Sequence, residues 1–305
     1  MSSDYKKHYS VLYKECLDFL YMDAPIEPKF ADMTFGAGGH SMGLAKRDSK
    51  AQVFSVDQDP DALDNGFKVL KENDLENRVR LLNMNFESFP EWAQSENLKL
   101  DGILMDLGVS SHQFDQFDRG FSFREDAPLD MRMNYKDDEE ETAADILNNY
   151  SEEEIANIIY HYGEDRLSRR IAAKIVEFRK EKPFESTKEL EDICFHAYPK
   201  QQRHKGTHPA TRTFQALRIA VNRELEVLEN TILNLFSLLN PGGTLAIISF
   251  HSLEDRIVKH KFKEIFQNDK NTVKILTKRP LVPTELEIEE NKRSRSAKLR
   301  VIQKL

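Results

Sequence analysis

Asp32-Met33-Thr34-Phe35-Gly36-Ala37-Gly38-Gly39-His40 is the stretch from which the fold of this chain can be read. Three glycines in four positions let a backbone approach a ligand closely, and a helix starting behind them would present free N–H groups. A short apolar run, Val53-Phe54-Ser55-Val56, follows and ends on Asp57, 21 residues past Gly36. An acid at the end of the second strand of a βαβ unit is placed to accept from ribose hydroxyls. Together these mark a nucleotide-cofactor site. The dinucleotide fingerprint requires a third spaced glycine where this chain has Ser41, and it holds a pyrophosphate. Here an acid, Asp32, precedes the glycines. A carboxylate repels a pyrophosphate and suits the ammonium and sulfonium end of S-adenosylmethionine, so that cofactor is expected rather than NAD.

Working outward, strand-like runs lie at Val53 to Val56, Val79 to Leu82, Gly102 to Met105 and Thr244 to Phe250, with a first strand ending at Asp32. Helical spacing between them, as in Ala62, Phe67 and Leu70 behind Asp59-Pro60-Asp61, predicts a parallel sheet with crossover helices. The alternation stops after Ser111. From Asp115 to His208 the pattern is helical only. Ser151 and Glu154 form a capping box ahead of Ile155, Ile158, Ile159 and Tyr162, and Ser186-Thr187-Lys188-Glu189 opens another helix. The expected organisation is a discontinuous α/β domain, 1–114 and 209–305, interrupted by a helical domain, 115–208. Pro209 then precedes a long helix, Thr211 to about Leu239, carrying Phe214, Leu217, Val221, Leu225, Leu228 and Ile232. Asn240-Pro241-Gly242-Gly243 is expected to end it.

The 305 residues contain 31% charged and 39% hydrophobic residues, a globular balance. No apolar run is long enough to span a membrane. Met1 to Lys7 lacks the apolar stretch of a leader, and Cys16 and Cys194 form neither a disulfide framework nor a cysteine zinc site. A reducing cytoplasm is the expected location, with no metal centre. Net charge is −8. Lys200 to Arg223 and Lys292 to Leu305 each carry six Lys/Arg and no acid, whereas acids gather at Asp137 to Glu141, Glu152 to Glu154 and Glu285 to Glu290. Two basic blocks on an acidic chain suggest a local footprint for a polyanion.

A strand ending on an acid places Asp106 at the carboxyl edge of the sheet, where ligands of open α/β sheets bind. His251, at the end of the Thr244 strand, would face the same crevice. Met105-Asp106-Leu107-Gly108-Val109-Ser110-Ser111, Arg119-Gly120-Phe121-Ser122-Phe123 and Pro128-Leu129-Asp130-Met131-Arg132-Met133 resemble the signature of the MraW/RsmH family of 16S ribosomal RNA cytosine-N4 methyltransferases. The stretches from His208 to Ala216, Ile248 to Arg256 and Ser294 to Arg300 carry the likeness to the C-terminus. Lys292 departs from it, standing where relatives often have proline.

The resemblance implies a Rossmann-like class I S-adenosylmethionine-dependent methyltransferase domain with an inserted all-helical domain for RNA recognition. It implies cofactor contacts at Gly38, Gly39, His40, Asp57, Phe86, Asp106 and Gln113, and a cytidine of the decoding centre in the small ribosomal subunit as substrate. Neither membrane nor DNA is implied. The cytosine N4 amine is a poor nucleophile because its lone pair is delocalised, so the enzyme must supply an acceptor. Asp106 is the candidate, with His251 second. Exocyclic-amine methyltransferases of DNA place Pro-Pro-aromatic behind the equivalent acid; Leu107-Gly108-Val109 stands here. His208, Arg212, Arg218, Arg256 and Arg295 are the candidates for RNA phosphates. The alternative is an RNA-binding ribosome assembly factor that keeps a cofactor pocket without turnover.

Overall fold

The computed structural model describes residues 10–137 and 139–305. Met1 to Lys7, read above for a leader, and Asp138 of an acidic cluster lie outside them. By internal contacts the chain divides into a unit of residues 1–108 and 225–305 and a second unit, Val109–Glu224.

The first unit begins with α1 (Tyr13–Leu20), β1 (Lys29–Asp32), α2 (Gly39–Arg47), β2 (Gln52–Asp57), α3 (Pro60–Glu72), β3 (Val79–Asn83), α4 (Phe89–Ser95) and β4 (Leu100–Asp106). The second unit holds α5 (Ser111–Asp115), α6 (Ala143–Asn149), α7 (Glu152–Gly163), α8 (Ser168–Phe178), α9 (Thr187–Ala197) and α10 (Ala210–Val221). The chain then returns with α11 (Glu224–Ser237), β5 (Leu239–Ser249), α12 (Ser252–Asn268), β6 (Val273–Ile275), α13 (Glu285–Glu290) and β7 (Lys298–Lys304).

Seven strands form one sheet in the order β3-β2-β1-β4-β5-β7-β6. The first five are parallel and β7 is antiparallel to both neighbours. Successive strand residues face opposite sides, and both sides are covered. Ile103 and Met105 of β4 join a core closed by Phe89 of α4, Leu228 and Ile232 of α11 and Phe262 of α12. Leu104 points the other way, with Phe30 of β1, into a core closed by Cys16, Leu17 and Leu20 of α1, Leu44 of α2 and Leu70 of α3. This doubly wound arrangement is the Rossmann-like fold expected, extended by the antiparallel edge β7 and β6. That edge was not read from the sequence.

Register brings three acids to one sheet edge. Asp32 pairs with Ser55 and Leu104, so Asp57 and Asp106 each stand two residues further out on neighbouring strands. Asp106 in turn pairs with Ile248 near the end of β5.

The helical unit has its own core, built from residues such as Ile155, Ile159, Ile171, Ile175, Leu190, Phe214 and Leu217. Capping boxes start four of its helices: Ser110 with Gln113, Thr142 with Asp145, Ser151 with Glu154, and Ser186 with Glu189. The expected long helix from Thr211 to Leu239 is two. Asn222 turns its side chain back on the loop before α6, accepting from the Met133 N–H at 2.7 Å and donating to the Met131 carbonyl at 2.8 Å. Arg223 takes a left-handed φ of 49°, which ends α10. The apolar stripe therefore serves two cores, Phe214 and Leu217 in the helical one and Leu228 and Ile232 under the sheet. Accordingly α10 clusters with the helical unit rather than beginning the returning sheet domain at 209. Asn240 to Gly243 likewise form the irregular start of β5, with Gly242 at φ 88°, rather than a loop before it.

Candidate functional site

The glycine turn is wired to the strand ends by the acids themselves. Asp57 accepts from the Gly36 N–H at 2.8 Å and from the Asp59 N–H at 2.9 Å, tying the turn to the end of β2. Asp32, 1% exposed, accepts from the Ser41 hydroxyl at 2.6 Å and the Thr34 N–H at 3.1 Å, and Ser41 also bonds Ser55 at 2.8 Å. Its carboxylate thus braces the start of α2 from below. The Thr34 hydroxyl accepts from the Asp106 N–H at 2.7 Å, joining the turn to β4. Gly38 adopts φ 78°, and a Cβ there would come within 2.6 Å of the Phe35 ring. Glycine is required on both counts.

Burial raises all three carboxyls. Asp32 is pushed up to about 7 from an ordinary 3.8, against hydrogen bonds from Ser41 and Thr34 that pull it down. Asp57 is pushed up to about 6, again by burial opposed by hydrogen bonds from Asp59 and Gly36. Asp106 is raised well above the carboxylate range by burial and then by the nearby charges of Asp32 and Glu254. Its Oδ1 is buried without a hydrogen-bond partner, and its Oδ2 lies 3.8 Å from His40 Nδ1. Such a cluster of destabilised anions is relieved by a cationic ligand.

His40 is buried at the first turn of α2, directly beyond the glycines. Phe86, half-buried, begins the turn after β3 and packs against the α4, α11 and α12 core. His251 caps α12: its Nδ1 accepts from the Glu254 N–H at 3.4 Å, while Glu254 accepts from the Phe250 and His251 N–H groups at 2.7 and 3.2 Å. That makes His251 a helix cap held against a buried glutamate, and Glu254, which sequence reasoning did not single out, carries one of the charges acting on Asp106. On the same unit Arg256 is exposed in the first turn of α12 and Arg295 is exposed in the turn before β7.

The remaining candidates belong to the helical unit. Gln113 is buried and closes a capping box at α5, its Oε1 accepting from the Ser110 N–H at 2.9 Å. His208 accepts from the Ala210 N–H at 3.2 Å, faces Glu191 at 3.2 Å and sits among the rings of Phe123 and Phe195. Arg218 is clamped by both oxygens of Glu224 at 2.7 and 2.9 Å. Arg212 is exposed and gives one N–H to the Glu164 carbonyl. His208 and Arg218 are therefore engaged within the unit, while Arg212 is exposed. Among the described residues, no three His, Cys, Asp or Glu are grouped to hold a metal ion, and no helix is long and apolar enough to cross a membrane.

Known proteins resemble the chain over nearly its whole length. The sequence profile of the MraW methylase family matches residues 5–305. Ribosomal RNA small subunit methyltransferase H of Clostridioides difficile strain 630 is 47% identical, over 98% of this chain and 99% of its own length. The protein of that name from a Picosynechococcus species is also 47% identical, over 96% of this chain and 95% of its own. Among solved structures, an rRNA methylase of Streptococcus thermophilus aligns over 98% of this chain and 99% of its own at 11% identity, with a TM-score of 0.47.

Proposed function

We propose that this chain, which belongs to the MraW methylase family and is an S-adenosylmethionine-dependent methyltransferase, methylates the N4 amine of a decoding-centre cytidine in 16S ribosomal RNA. The names of its curated relatives carry the coarser part of this reading, methylation of small-subunit ribosomal RNA. The observation that supports the finer part is Asp106, a strand-end carboxylate with one unpartnered buried oxygen beside the glycine turn.

The residues present fit the cofactor. The turn admits no Cβ at Gly38, and the three raised carboxyls favour a ligand bearing positive charge. When bound, the cofactor supplies an electrophilic methyl on a cationic sulfonium. Gly38, Gly39 and His40 would hold it through the turn and the start of α2. Asp57 would accept from its ribose, and Phe86 would pack on its base. The family resemblance also implies a cofactor contact for Gln113 of α5. Asp106 accepts the hydrogen bond, then the proton, of the cytosine amine, which frees the nitrogen lone pair from the ring. Its raised proton affinity suits an acceptor. His251 positions the loop after β5 through its cap on α12.

Arg256, Arg295 and Arg212 are the phosphate contacts we favour, because these residues are exposed. His208 and Arg218 are engaged within the helical unit and serve its structure first. The helical unit acts in RNA recognition, and the partner is the small ribosomal subunit in a bacterial cytoplasm.

The test is methyl transfer from labelled S-adenosylmethionine to small subunits lacking the modification, with nucleoside mass spectrometry and Asp106→Ala as control. The expected product is N4-methylcytidine, absent with the variant. Cofactor binding without any methylated nucleoside, on subunits or on naked RNA, would overturn the proposal.

A further inference from the structure

Residues from opposite ends of the chain meet over the glycine turn. Leu12, just before α1, has φ 50°, a left-handed conformation that a leucine rarely adopts. Its N–H donates to Glu287 Oε1 of α13 at 2.7 Å, across 275 positions of sequence. The residue before it, Val11, brings its carbonyl to 3.2 Å from His40 Nε2. The residue after it, Tyr13, stacks on the His40 ring at 6.0 Å with 21° between planes. Ser10 Oγ fills the space that a Cβ at Gly39 would need, 2.0 Å from it. The turn and the strap of residues 10–13 are therefore fitted to each other.

This packing decides which nitrogen of His40 carries hydrogen. A carbonyl can only accept, so Nε2 is the donor to Val11, and the neutral imidazole keeps its lone pair on Nδ1. Nδ1 is the atom 3.8 Å from Asp106 Oδ2. Hydrogen bonds of catalytic groups are commonly long before the substrate complex forms, so this separation suits a hydrogen bond that tightens in the complex.

We propose that Glu287 is a positioning residue for the reaction: by holding Leu12 it aims the Val11 carbonyl at His40 and fixes the basic nitrogen of the imidazole toward Asp106, where it accepts a hydrogen bond from the carboxyl once that carboxyl has taken the amine proton. The inference rests on the reading of Asp106 as the first acceptor. In this step the amine nitrogen keeps the electron pair of the broken N–H bond. The proton stays on Asp106, whose new O–H donates to the lone pair of His40 Nδ1 while Nε2–H stays on Val11. Nothing else is consumed.

The experiment is nitrogen-15 NMR of the full-length protein labelled at histidine, with His40 assigned by its loss in His40→Gln, alongside steady-state methylation kinetics. Wild-type His40 is expected as one tautomer with hydrogen on Nε2. Glu287→Ala should mix the tautomers and lower kcat by about tenfold or more, the scale on which small misplacements act, with little change in KM. Glu287→Gln keeps an oxygen that accepts from Leu12 and should restore both readouts. Hydrogen on Nδ1 in the folded wild type overturns the proposal, whether or not Glu287→Ala folds. So does a Glu287→Gln protein as impaired as Glu287→Ala. A wild-type protein that methylates no subunit refutes the reaction assigned above instead, and the tautomer measurement still decides the tether.

Discussion

Replacing Asp32 with asparagine should stabilise the sheet unit more strongly the higher the pH. The carboxyl is 1% exposed and pushed up to about 7 from 3.8, with burial the largest cause. The folded state therefore binds this proton more tightly than the unfolded state. Below about pH 3.8 the group is neutral in both states and contributes no pH dependence. As pH rises from there to about 7 the unfolded state loses the proton first, and stability falls. A difference of about 3 units at about 1.4 kcal/mol each gives a charge penalty of roughly 4 kcal/mol, complete by about pH 8. About half of it has developed by pH 5.5. Asparagine carries no such penalty, and its amide oxygen still accepts from Thr34 or Ser41. Removing the charge also lets the Asp106 carboxyl fall, because Asp32 is one of the two charges that raise it.

The assay is urea unfolding of wild type and Asp32→Asn from pH 4 to 8, followed by the fluorescence of Trp92. That is the only tryptophan of the chain, and it packs against Phe54 and Phe89 in the sheet unit. The stability difference between the two proteins should climb with pH and level off above about 7. A difference that stays flat across this range would refute the assignment of a buried, destabilised carboxylate at this position.

Gly38→Ala must put a side chain at φ 78° and into the Phe35 ring, so it should cost at least about 1–2 kcal/mol of stability and weaken binding of S-adenosylhomocysteine measured by calorimetry. Asp106→Asn should lower kcat by about 10²–10⁴, the range for loss of a general base, while calorimetry still detects cofactor; unchanged turnover would remove Asp106 from the chemistry. Asn222→Ala leaves the Met133 N–H and the Met131 carbonyl without their partner, so about 1–3 kcal/mol of protection should disappear from amide exchange in the helical unit. Arg256→Ala with Arg295→Ala should flatten the salt dependence of small-subunit binding by about one to two in slope, and an unchanged slope would place the phosphates elsewhere.

What the sequence determined by itself was set by short-range patterns. The glycines at 36, 38 and 39, the acid ending each of three apolar runs and the Ser-x-x-Glu starts are local devices, and each works through neighbours within a few residues. They fixed the parallel sheet, the helical insertion, the cofactor class and the alignment of Asp32, Asp57 and Asp106, because a strand that ends on an acid shows that acid wherever the strand lies. The tertiary structure decided what depends on partners far along the chain. One apolar stripe from Phe214 to Ile232 reads as one helix, yet Asn222 bonds residues 131 and 133 and divides it between two cores. Lys298 to Lys304 reads as a basic tail, yet its alternation places Leu299, Val301 and Ile302 inside the sheet beside β5. There Asp255 takes up the Lys298 and Arg300 charges. Whether a cation is available to RNA or spent on a carboxylate, as Arg218 is on Glu224, is a matter of distances that sequence does not carry. The same is true of the tie from Glu287 through Leu12 and Val11 to His40, which joins groups 275 residues apart because α13 packs beside the start of α1.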